Sequence, residues 1–227
     1  MITPIRLIYF KLWAKGPAPA LALSHAAIKF THVIPDWKTY KSTTPFSKLP
    51  ILETPDSPPI THELAILNHI ATHIAPQLNG ATPTEHATSQ MLMCESEDIY
   101  VKLSTIQPRT NNLQPKCSPE ELQKFWDPTS PSLKLHNRDQ PLHANLLNLD
   151  NFATSSRFTR TTTIGDCKLF STLHMLSMID ADVLKPYDNL SAFYKRFGSL
   201  PETVAITDQS NEITQFPQYF VAPPVEK

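Results

Sequence analysis

The chain has 227 residues, a formal net charge of -1 and no basic cluster, so it has ample material for a core and lacks the charge of a nucleic-acid binder. Glycine is scarce, at 4, and proline abundant, at 22, which points to helix stops and stiff loops rather than Gly-rich phosphate loops. The three cysteines, Cys94, Cys117 and Cys167, are odd in number, widely spaced and without a CxxC. That pattern argues against a disulfide framework or a zinc site and fits a reducing compartment. No run approaches the roughly 20 apolar residues of a membrane span. The start, MITPIRLIYFKLW, lacks the long apolar core of a signal peptide. The expectation is a cytoplasmic protein.

In chain order, Ile5 to Phe10 reads as a buried strand. After Gly16-Pro17, APALALSHAAI has helical composition, and Phe30 to Ile34 is a short β-prone run. Strand, helix and strand at this spacing suit a right-handed parallel crossover. Asp36 to Lys41 is a candidate helical turn. A third strand is centred on Leu52, a turn covers Asp56 to Pro59, and Ile60-Thr61 forms a very short fourth strand. Glu63 to Ile74 follows as a helix, with Ile66, Leu67, Ile70 and Ile74 on one side.

Residues 77–83 read as a linker, and the periodicity changes character beyond it. A long proline-free helix spans 84 to about 106, before Pro108. Prolines recur from 107 to 141, where long unbroken helix is excluded, although Ser118-Pro119-Glu120-Glu121 is a good helix start. Further helices carry Leu142, Leu146, Leu149 and Phe152, then Leu169, Phe170, Leu173 and Leu176 within Asp166 to Ile179, then Leu190, Phe193, Tyr194 and Phe197. The division is a small α/β domain, 1–76, and an all-helical domain, 84–227, with an extended tail. Cys94 and Cys167 fall on apolar helical faces and are expected to be buried and inert.

The stretch KSTTPFSKLPILE places Pro50 at the mouth of the third strand, where a proline cannot serve as an ordinary ladder residue. A cis Leu49–Pro50 bond would turn the Leu49 backbone outward, free to pair with an extended peptide-like ligand. The β-α-β order with Tyr9-Phe10, then DWKTYKSTTPFSKLPILE, then HELAI, resembles the cytosolic glutathione transferases, most closely their sigma class. The resemblance is dense from Ile5 to about Ile74, returns at TTIGDCKLF, and thins between 107 and 160.

The resemblance implies the glutathione transferase fold: an α/β thioredoxin-like N-terminal domain and an all-α C-terminal domain. It implies a cis Pro50, glutathione as substrate, no metal, and a homodimer. Tyr9 matches the catalytic tyrosine, whose hydroxyl favours the thiolate of a thiol that otherwise has a pKa of about 8.5. Trp37, Lys41, Lys48 and Leu49 match groups that hold the tripeptide. Asp98 matches an acid that reaches the neighbouring subunit's ligand. Leu12, Trp13 and the long second-domain helix would line a pocket for a small hydrophobic electrophile. Thr163-Ile164-Gly165-Asp166 looks like the family's internal capping box. Isomerase or peroxidase side activity belongs to the same family chemistry, but Thr105 stands where the prostaglandin-synthesising members carry tryptophan.

Two positions depart from the pattern. Lys15 stands where an arginine is common, which keeps the charge and loses the planar fork. His62-Glu63 stands where the family has Gln-Ser or Glu-Ser, so a carboxylate enters a site that normally receives one. These departures, the 107–141 segment and the tail FPQYFVAPPVEK support an alternative: a transferase-fold ligand carrier or a subunit of a larger assembly, without turnover. His69 and His73 stand four apart on one helix, without a third ligand at a known metal spacing.

Overall fold

The computed structural model describes residues 5–106, 109, 118–127, 142–208 and 215–221. Strand β1 (Ile5–Ile8), helix α1 (Pro17–His25) and strand β2 (Phe30–Val33) form the crossover. A short helix α2 (Trp37–Tyr40) and two 3-10 turns lead to β3 (Ile51–Thr54), β4 (Ser57–Thr61) and α3 (Glu63–His69). The four strands form one mixed sheet in the order β2-β1-β3-β4. β1 is parallel to β2 and antiparallel to β3, and β4 is antiparallel to β3.

The apolar run in β1 and the ILE of β3 follow from burial on both faces. Successive residues Leu7 and Ile8, and Ile51 and Leu52, are all buried, which needs cover on both sides of the central pair. β1 stops at Ile8, two residues before the Phe10 that composition suggests, so Tyr9 lies just past the strand. Its N–H still reaches Val33 O at 3.0 Å. β4 begins earlier than expected, at Ser57, and contains Pro58 and Pro59. Its place at the sheet edge explains this, because an edge strand tolerates residues that cannot donate to a ladder. The Glu63 to Ile74 segment is helical throughout but changes from α to π winding at Ile70.

A 3-10 turn at Pro76–Asn79 leads into α4 (Pro83–Ile106). The helical part continues with α5 (Pro119–Trp126), α6 (Leu142–Phe152), α7 (Ile164–Ile179), α8 (Asp188–Gly198) and α9 (Pro201–Thr207). Helix α5 begins at the expected Ser118 capping box. The rest of the 107–141 segment, apart from Arg109 and residues 118–127, lies outside the described residues. Cys117 also lies outside them.

Helix α7 is the central post, buried from Ile164 to Leu173 and again at Met175 and Leu176. It packs on α4, α1 and α8. A buried helix start must satisfy its own orphan N–H groups. Thr163 Oγ1 accepts from Asp166 N–H, and Asp166 Oδ2 accepts from Thr163 N–H at 2.8 Å and from Thr159 Oγ1 at 2.9 Å. Gly165 lets this start approach α4, since a Cβ there would overlap the Ser89 backbone. The sheet layer and the helices share one core. Trp13 Nε1 donates to Ser171 O at 2.8 Å and ties the β1–α1 loop to α7.

Candidate functional site

Tyr9 sits between the end of β1 and the start of α1, almost fully buried. Its ring occupies the space over Gly16 that any Cβ would fill. The Lys15 backbone N–H donates to Tyr9 Oη at 3.0 Å. Burial pushes the phenol well above its ordinary pKa, with Tyr100, Glu63 and Tyr219 adding to the rise and the Lys15 amide only partly opposing it. Tyr9 is therefore a neutral phenol across the physiological range. One lone pair is taken by an amide, and the hydroxyl proton is left to donate.

Beside it a cleft of about 430 Å³ is lined by Lys15, Lys48, Leu49, His62, Glu63, Leu64 and Glu97. The Leu49–Pro50 peptide at its edge is cis. His62 has a φ of 67°, a left-handed backbone that a residue with a Cβ adopts at a cost. Behind His62, a chain of charges runs inward. Lys168 Nζ, on α7, donates to Glu63 Oε2 at 2.6 Å and lies 3.3 Å from Glu97 Oε2. Lys15 Nζ bonds Glu97 Oε1 and stands 4.4 Å from the centre of the Tyr100 ring. Glu63 and Lys168 are 3% and 1% exposed, so this is a core ion pair opening onto a cleft.

The two carboxylates respond differently. Burial raises the pKa of Glu63, and Lys168 and Lys15 offset it only in part. Burial also acts on Glu97, but there Lys168 and Lys15 together outweigh it and hold the carboxyl below its ordinary value. Glu63 Oε1 is buried and accepts no hydrogen bond among the described residues, whereas the buried Glu97 Oε2 has the Lys168 ammonium 3.3 Å away.

Among the residues singled out in the sequence, Lys15, Lys48, Leu49, His62 and Glu63 meet in this cleft. Pro50 is buried beside it. Trp37 is half-buried and packs edge-on against Phe10, with ring centres 5.8 Å apart. Lys41 and Asp98 are exposed and do not line the cleft. Leu12 is half-buried.

Trp13, expected as a pocket wall, is fully buried. It is covered by the tail: its N–H donates to Pro217 O at 2.7 Å and Phe216 packs edge-on against its ring. Phe220 of the same tail is buried and meets Tyr100 edge-on, and Arg109 stacks over Tyr219. Cys94 is exposed, against the expectation of burial, because it falls on the outer face of α4 with Met91, Asp98 and Val101; Cys167 is buried. His69 and His73 stack with ring centres 4.8 Å apart, and no group of three metal-ligating side chains forms among the described residues.

Sequence reasoning missed Lys168 and Glu97. The signal for Lys168 was available: a lysine set between Cys167 and the apolar Leu169-Phe170 on the helix must be paired if it is buried. The signal for Glu97 was weaker, since three acids follow one another at 95, 97 and 98 and only the helix rotation separates them.

No protein-family profile matches the chain. It is 33% identical over 99 residues to the hematopoietic prostaglandin D synthase of Gallus gallus. That match takes in 42% of this chain and 48% of the relative, so it spans about half of the curated protein's length. The whole fold matches the Pi-class glutathione S-transferase of Onchocerca volvulus with a TM-score of 0.71, at 22% identity over 88% of this chain and 90% of that one. It matches prostaglandin synthase D of Nilaparvata lugens with a TM-score of 0.68, at 20% identity over 89% and 96%. The chain therefore has the glutathione transferase fold, a thioredoxin-like N-terminal domain with a helical C-terminal domain. Its structural neighbours thus include a Pi-class glutathione S-transferase and a prostaglandin synthase D.

Proposed function

We propose that the chain is a glutathione transferase. The tripeptide lies along the cleft in extended form, pairing its cysteinyl backbone with Leu49. Lys48 and Lys15 supply positive charge, with Trp37 and Lys41 toward the glycine end. The thiol gives up its proton to solvent. The Tyr9 hydroxyl donates to the resulting thiolate, which attacks the electrophilic carbon of a small hydrophobic substrate and forms a C–S bond as the leaving group, halide in the case of an aryl halide, departs with the electron pair of its bond to that carbon.

The observation that supports this best is the Tyr9 hydroxyl itself. It is neutral, held by the Lys15 amide at 3.0 Å, and seated on Gly16. A donor placed at a developing or standing anion is worth roughly 10- to 1,000-fold in rate. The test is conjugation of glutathione to an aryl halide by wild type and Tyr9→Phe. A fall of tenfold or more supports the reading, and equal rates contradict it.

A homodimer goes with this reading. Phe46 is 78% exposed at the tip of the loop before β3, and Met91 and Val101 lie exposed on the outer face of α4. Apolar surface of this kind favours a partner. A cytoplasmic location belongs to the same reading; no helix among the described residues is long and apolar enough to cross a membrane.

A second reading has its own observation. Phe216 and Phe220 of the tail are buried over Trp13 and against Tyr100, where an electrophile would enter. A chain so covered would serve as a ligand carrier or a subunit of a larger assembly. Retention on glutathione resin without conjugation of any electrophile would favour it.

A further inference from the structure

The tail from Gln215 to Val221 forms a strap held at two rings. Phe216 and Phe220 are 0% and 1% exposed, while Pro217 and Gln218 between them face solvent. Phe216 lies edge-on to Trp13 and against His32, with ring centres 4.7 Å apart, and His32 Nε2 is 3.1 Å from Tyr9 O. Phe220 lies edge-on to Tyr100, the ring under the Lys15 ammonium that lines the cleft. Tyr219 is near enough to Tyr9 to add to the rise in its pKa. The strap bridges to the chain on both sides, in parallel at Trp13–Gln218 and antiparallel at Arg109–Phe220. It therefore crosses from the β1–α1 loop to the C-terminal end of α4, alongside Tyr9.

The groove beneath the strap is built without it. The Trp13 indole N–H donates to Ser171 O on α7, Tyr100 belongs to α4, and His32 is tied to the Tyr9 carbonyl. The strap adds two phenyl rings in apolar seats. Apolar burial is non-directional, so another apolar group of similar size can fill the same seats. A segment joined to its own groove competes at a high effective concentration.

From this arrangement we infer that the tail is an autoinhibitory plug. Phe216 and Phe220 occupy the space that an apolar group on the sulfur needs beside Tyr9, and the strap must leave before that group can enter. The inference rests on the glutathione reading. It makes the tail a reversible competitor of the electrophile, not a permanent cover. The glutathione cleft itself stays open, since none of the tail's described residues lines it.

The test is isothermal titration of full-length wild type and Phe216→Ala/Phe220→Ala with reduced glutathione and with S-benzylglutathione, which adds one apolar group at the sulfur. Glutathione should bind the two proteins alike. S-benzylglutathione should bind the double variant about tenfold or more tightly than wild type, because a site free only about a tenth of the time loses that factor in apparent affinity. In wild type, S-benzylglutathione should also speed hydrogen exchange at the Trp13 amide, which donates to Pro217 O, and glutathione should not. Equal affinity of S-benzylglutathione for the two proteins overturns the inference and leaves the glutathione reading intact. So does a gain in the double variant that glutathione shares equally, or bound S-benzylglutathione that leaves Trp13 exchange in wild type unchanged. If neither protein binds either ligand, the glutathione reading fails and the inference falls with it. Should the double variant fail to fold, the exchange measurement on wild type still decides.

Discussion

Tyr9 and the charges behind the cleft are held by different means. At Tyr9 a single neutral hydroxyl is fixed by one backbone amide and a glycine underneath. Behind the cleft four charged side chains are fixed by one another, and two of them are buried in the core. The first arrangement can be altered at little cost to the fold. The second cannot, because removing one partner strands a charge in a low dielectric. On the proposed reading, changes at Tyr9 should therefore show in rate, and changes among the four charges in stability.

The largest effect is expected at Lys168. Lys168→Met leaves Glu63 buried without its cation, and chemical denaturation should show a loss of about 3–5 kcal/mol. The double variant Lys168→Met/Glu63→Gln should recover a large part of that loss, since it removes both charges. If the single and double variants are equally unstable, the pair is not what holds this end together.

Gly16→Ala would push a methyl group into the Tyr9 ring. The expected cost is about 1–3 kcal/mol from overpacking, together with a loss of conjugation rate as the hydroxyl is displaced. It is the one substitution here that should affect both stability and rate. Tyr9→Phe sharpens the contrast from the other side. It keeps the ring on Gly16 and removes only the oxygen, so denaturation should change by no more than about 1 kcal/mol while the rate falls tenfold or more.

The smallest effect is a pH dependence away from the cleft. His174 lies between Trp13 and Phe170, and burial lowers its pKa from 6.5 to about 4. The unfolded chain takes up this proton before the folded one. Stability should then fall as pH drops from 6.5 toward about 4, and be insensitive to this group above that window. His174→Gln should make the acid side of the stability profile shallower. An unchanged slope would mean that His174 is protonated in the folded state.

Legibility in the sequence followed the range of the interactions. The β-α-β crossover, the entry at Pro50 and the capping box at Thr163 and Asp166 are short-range patterns, and each lies where the sequence placed it. Glu63 was recognisable as an oddity, but its partner lies 105 residues away on another helix. A sequence displays two charges without saying that they meet. Glu97 and Asp98 are neighbours in the chain, and one helical step turns the first toward the cleft and the second toward solvent. The tail over Trp13 is of the same kind: FPQYF is visibly apolar, but only the fold shows what it covers.

On the proposed reading, Tyr9 holds the sulfur of bound glutathione as a thiolate. The most direct measurement is a pH titration of bound glutathione, followed by the ultraviolet absorbance of the thiolate, in wild type and Tyr9→Phe. The prediction is that the bound thiol in wild type ionises at least about one pH unit below the ordinary value of about 8.5, and that Tyr9→Phe returns it toward that value. A wild-type thiol that titrates like free glutathione, or a Tyr9→Phe thiol that titrates like wild type, would contradict it.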